Sequence, residues 1–126
     1  MTEGAGLLRA RLELVLATDD PGLKRLVEAQ TSVCFNNLDQ PSASVTLLLD
    51  RDPPQLAPAG DPAEITIELN AEQFELFASG SLALAPSLLT GEVAFRGPVR
   101  RYLAVDPVLR SLLVTVAKAG AVDTDY

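Results

Sequence analysis

Histidine is absent from this sequence. Imidazole is the usual general base near neutral pH and the commonest metal ligand. Its absence excludes Ser-His-Asp triads, Cys-His pairs, zincin motifs and most transition-metal sites. Cysteine occurs once, at Cys34, so no internal disulfide and no cysteine-rich zinc site can form. Tryptophan is missing, and two Tyr and four Phe offer few rings for stacking on bases. Positive charge is scarce too: the net charge of −7 leaves no basic face for phosphates or an anionic membrane surface. We therefore expect no nucleic acid partner. No apolar run approaches the roughly 20 residues of a membrane span, so no transmembrane segment is expected. Glu3, Arg9, Arg11 and Glu13 break the N-terminal apolar stretch before it reaches the roughly 7–15 residues of a signal-peptide core. The C-terminal Ala121-Val122-Asp123-Thr124-Asp125-Tyr126 carries no lipidation or peroxisomal signal. The expected location is cytoplasmic.

What the chain has is aliphatic. Hydrophobic residues, mostly Leu, Ala and Val, make up 48% of its 126 residues, enough for one domain with a core of its own over 1–126. Leu8, Leu12, Val15 and Leu16 fall at helical spacing within 6–17. Asp20-Pro21 reads as the cap and first position of a short helix through Leu23, Leu26 and Val27, either separate from the first or continuous with it across a bend. Thr31, Val33 and Phe35 alternate as in a strand; Asn36-Asn37, Asp39 and Pro41 make a turn. Residues 44–49 form a second strand. Residues 55–59, hemmed by prolines, form an edge strand or a loop. In 63–69, Ile65, Ile67 and Leu69 face inward and Glu64, Thr66 and Glu68 outward.

Asn70 with Gln73 is a capping box for a helix that presents Phe74, Phe77 and Ala78 on one face and ends at Gly80. An apolar linker, Leu82 to Leu89, follows, closed by Thr90-Gly91. Residues 92–96 alternate as a last strand. Gly97-Pro98 opens a helix with Val99, Tyr102 and Leu103 on one face. Asp106-Pro107 is expected to cap and restart a final helix, striped by Val108, Leu109, Leu112, Leu113 and Val116, with Lys118 near its end and Gly120 terminating it. Strands in hairpin-like succession imply the α+β class: a single domain with a four- or five-stranded, mostly antiparallel or mixed sheet covered on one face by helices.

The block from Ala63 to Leu113 is the most specific feature. Ser79-Gly80, Leu89-Thr90-Gly91 and Phe95-Arg96-Gly97 occur in order around an aromatic helix, an apolar link, a short strand and a closing helix. This resembles the sterol carrier protein type 2 family of small lipid-binding domains. The resemblance covers the C-terminal half by motif and the N-terminal half by element order. The family's acidic or glycine-containing turns between the early strands are replaced here by the proline-rich segment 52–62. The resemblance implies a sterol-carrier-like fold. It also implies an apolar ligand or lipid as partner: a sterol, fatty acid or fatty acyl thioester.

The residues fit that implication. The linker and the C-terminal stripes supply more aliphatic surface than one face of short strands needs. We expect a pocket between the sheet and the C-terminal helices, lined by Phe77, Leu84, Leu88, Leu89, Phe95, Leu103, Leu109 and Leu112; cavities lined this way stay dry and accept apolar molecules. The same side chains also read as ordinary core. The alternative is a module of the same fold with a closed cavity, serving as a homodimer or docking on an enzyme. Arg96, Arg100 and Arg101 form either a solvated face or a head-group site. Cys34 reads as a buried structural thiol. The acids Asp50, Asp52, Asp61 and Glu64 lack the spacing of a calcium loop. They and the others mostly occupy caps and polar strand faces, so no catalytic residue, metal or cofactor is expected and the chain does not read as an enzyme.

Overall fold

Alternation in the strands and stripes on the helices meet in one core. The computed structural model describes residues 3–18, 21–39, 44–51, 54–58 and 63–124. The order is α1 (Glu3–Leu16), α2 (Gly22–Glu28), β1 (Ser32–Asn37), β2 (Val45–Leu48) and β3 (Gln55–Pro58). Then follow β4 (Ile65–Leu69), α3 (Ala71–Ala78), α4 (Leu84–Thr90), β5 (Ala94–Arg96) and α5 (Val99–Thr124). The sheet runs β3-β2-β1-β4-β5, antiparallel except for the parallel β1–β4 pair. The proline-flanked β3 is an edge strand, where a missing N–H does no harm. The fold is the expected α+β with a mixed five-stranded sheet.

Register places Val33, Phe35, Val45, Leu47, Ile65 and Ile67 on the same face. They form one buried cluster with Leu8 and Leu12 of α1, Leu26 of α2, Phe74 and Phe77 of α3, Leu84 and Leu88 of α4, and the inward stripe of α5. Thr66 and Glu68 are half-buried on the other face, and Glu64 just before the strand is exposed, as the alternation requires. Cys34 also points to that other face, 7% exposed, beside Thr46.

Local chemistry fixes α3 at both ends. Asn70 accepts from the Gln73 amide at 2.7 Å and Gln73 returns a bond to the Asn70 amide at 3.0 Å, the capping box expected. Asp39, from the turn after β1, accepts from the Ala71 amide at 2.8 Å. At the other end Arg11 donates to the Ala78 carbonyl at 2.9 Å and Arg110 to the Gly80 carbonyl at 3.0 Å. An acid at the positive end and two guanidinium groups at the negative end both suit the helix dipole.

Three expectations are corrected. The stretch 82–89 is not an irregular linker: residues 84–90 form α4. Pro86 falls in its first turn, where an amide has no partner within the helix anyway. Between β4 and β5 there are thus two helices. The C-terminal segment is one helix, not two, and it continues past Gly120. Asp106-Pro107 does not restart it, because Tyr102, Val105, Asp106, Leu109, Leu112 and Leu113 keep one inward stripe straight through the proline. Burial of that stripe outweighs the lost bond to the Leu103 carbonyl. Of the two arrangements the N-terminal sequence allowed, the structure has the separate helices α1 and α2, with Pro21 at the cap position of α2; Asp20 lies outside the described residues.

Candidate functional site

The eight side chains expected to line a pocket come from α3, α4, β5 and α5, and six of them converge. Phe77, Leu84, Leu88, Leu109 and Leu112 belong to the buried cluster, and Leu103 packs against it half-buried. Phe77 stacks on Phe35 with ring centroids 4.9 Å apart, and Tyr102 meets Phe35 edge-on at 6.0 Å. These rings bind α3 and α5 to the centre of the sheet. The structure does not bring Leu89 and Phe95 into this group. Leu89 lies on the outer side of α4, 74% exposed. Phe95 has inward parity opposite Ile67, but its strand is a sheet edge and it stays 40% exposed.

An open groove lies where α2 crosses α5. It has two adjoining parts, of about 440 Å³ and about 470 Å³. Arg25, Pro107 and Val108 border both parts. Leu112 in the first part and Val105 in the second are floor residues that also belong to the core cluster, 5% and 1% exposed. The groove therefore abuts the interior. Sequence reasoning found Leu112 but missed the groove, which depends on how two helices distant in sequence dock. Pro21 and Pro107 both border its first part.

The interior holds an ionisable pair. The Tyr102 hydroxyl donates to Asp106 Oδ1 at 2.7 Å, and the Ala85 amide donates to Asp106 Oδ2 at 3.1 Å. Asp106 thus caps α4 from α5; the cap residue of α4, Ala83, has no side chain to do so. Burial, then the charge of Asp106 and the hydrogen bond to it, push the Tyr102 phenol well above its ordinary value. Burial also raises the Cys34 thiol, with a hydrogen bond from Thr46 opposing it. The arginine cluster pairs with the outward acids. Arg96 lies 3.7 Å from Glu68 and Arg101 lies 3.2 Å from Glu64, each with its guanidinium side chain in solvent. Glu64 is also bonded by the Thr31 hydroxyl. Such pairs are worth about 0–1 kcal/mol, and Arg100 beside them is exposed.

No group of three or more potential metal ligands occurs among the described residues. No helix among them is long and apolar enough to cross a membrane.

Solved structures share this architecture over most of the chain. Sterol Carrier Protein-2 from Aedes aegypti, in complex with palmitate, matches with a TM-score of 0.62 at 15% identity, over 86% of this chain and 96% of that one. Sterol carrier protein domain 2 of Helicoverpa armigera gives 0.60 at 14% identity, over 83% and 86%. Sterol Carrier Protein 2 from Yarrowia lipolytica, in its apo form, gives 0.57 at 20% identity, over 86% and 88%. No protein-family model matches the sequence, and no curated protein matches it. The fold is that of the sterol carrier proteins.

Proposed function

We propose that this protein binds and carries an apolar ligand, a sterol, fatty acid or fatty acyl thioester, between its sheet and α5. The observation that carries this reading is the groove at α2 and α5, whose floor residues Leu112 and Val105 are also core. A ligand seated there reaches the interior by sliding between α5 and the sheet. Its wall would be Phe77, Leu84, Leu88, Leu103, Leu109 and Leu112, with Leu89 and Phe95 at the outer margin. The same architecture holds palmitate in the Aedes aegypti protein. The groove's size is within the roughly 300–1,000 Å³ of small-molecule sites. The role is carriage: the wall offers leucines and phenylalanines for contact, and the ionisable pair beside it, Tyr102 and Asp106, is hydrogen-bonded within itself.

Fluorescent sterol and fatty-acid probes should bind with micromolar affinity, roughly −8 kcal/mol. Organic extracts of the purified protein should yield a lipid by mass spectrometry. Absence of binding at tens of micromolar, with no lipid in the extract, rejects the carrier reading. The dimerisation or docking alternative would then be taken up, with exposed Leu89 as its starting point and mass against concentration in size exclusion as its test.

A further inference from the structure

Among the described residues Asp106 is the only buried charged side chain, 3% exposed. It lies on the inward face of α5, four residues after Tyr102 and three before Leu109, and it touches α4 between Leu84 and Leu88 through the Ala85 amide. It therefore shares the inward stripe of α5 with Leu109 and Leu112 of the wall proposed above, and it borders neither part of the groove itself. Both its partners are donors, so both oxygens serve as acceptors. A carboxylate has about four acceptor positions, and Tyr102 and Ala85 occupy two. Among the described residues no hydrogen bond or ion pair joins a guanidinium to it: Arg11 and Arg110 bond the Ala78 and Gly80 carbonyls, and Arg96 and Arg101 pair with Glu68 and Glu64.

A buried anion of this kind gains from one more donor. It opposes a second anion, because like charges in a low-dielectric interior repel strongly. We propose that Asp106 is the specificity-determining residue of the pocket, accepting a hydrogen bond from the hydroxyl of an uncharged lipid alcohol and disfavouring a fatty carboxylate. This inference rests on the carrier reading and narrows its ligand class. Arg25, at the groove mouth, offers the opposite preference, but it is exposed and its charge is screened by water.

The test is displacement of an uncharged fluorescent apolar probe at neutral pH by three lipids of one chain length: the alcohol, its methyl ether and the fatty acid. The wild type should bind the alcohol about tenfold more tightly than the ether or the acid, the usual worth of one hydrogen bond to a charged group. Asp106→Asn should shrink the preference over the acid to within about threefold while probe affinity persists. Should Asp106→Asn fail to fold, Tyr102→Phe serves: it frees an acceptor position and keeps the carboxylate, so the preference must survive. If the probe binds and the wild type does not distinguish alcohol from ether, the proposal is overturned and the carrier reading stands. If the acid binds most tightly and Arg25→Ala abolishes this, the head group sits at the groove mouth and the proposal is again overturned. If the probe itself does not bind, both fall.

Discussion

At the scale of single residues, two protons are held by burial. The folded protein keeps Cys34 protonated above its ordinary value of 9.0 and Tyr102 well above 10.0. The unfolded chain releases both protons near those ordinary values. Above them the native state binds more protons than the unfolded state, so stability must fall as pH rises. It should be level between neutrality and pH 9.0, then decline, most steeply past 10.0 as unfolded Tyr102 ionises. Tyr102→Phe should flatten that steep limb, while costing about 1–2 kcal/mol at neutral pH because Asp106 loses a donor. Denaturant midpoints measured from pH 7 to pH 11 check both; an unchanged alkaline limb in Tyr102→Phe would assign the decline elsewhere. Cys34 permits a second measurement. At 7% exposure its thiol should react with a neutral disulfide reagent far more slowly in the native state than in denaturant, and equal rates would mean an accessible cysteine.

At the scale of elements, the turns before and after β5 carry similar backbone conformations but unequal surroundings. Gly91 has φ +83° and open space where a Cβ would be. Gly97 has φ +94°, and a Cβ there would stand 2.1 Å from the Glu64 carbonyl oxygen. Gly91→Ala should cost about 1–2 kcal/mol, the left-handed penalty alone. Gly97→Ala must also push β5 from β4, which should cost clearly more and loosen amide protection in both strands; equal thermal shifts would contradict this contact. Both turns were expected from the sequence, as were β4 and α3, because alternation, a capping box and a glycine stop there agree. The errors cluster at proline. Pro86 and Pro107 suggested a linker and a break, yet each lies within a helix. Pro86 is harmless in a first turn, and Pro107 is overridden by a buried stripe that keeps its phase on both sides. Local propensity shows where a helix is weak; only packing decides whether that weakness ends it.

At the scale of the molecule, the side chains expected as pocket wall came from helical stripes, an apolar run and a strand, but their sorting into wall, core and surface was not readable. Leu88 and Leu89 are neighbours in one apolar run, and one is buried while the other is 74% exposed. Which of them points inward follows from the helical phase of α4, and that was hidden by reading the run as a linker. The groove was invisible because it belongs to no segment: it exists only where α2 docks on α5. This separates two kinds of substitution. Leu109 lies fully inside, so Leu109→Ala should cost about 2–5 kcal/mol of stability in the ligand-free protein. Val108, on the adjacent face, is half-buried and borders both parts of the groove. Val108→Trp should fill the mouth without entering the core, changing stability by less than about 1 kcal/mol. If the groove is the route inward, that variant should slow uptake of an apolar fluorescent probe at least about tenfold in stopped-flow measurements, equivalent to about 1.4 kcal/mol on the barrier. Uptake at the wild-type rate in a folded Val108→Trp protein would place the route on another side of α5.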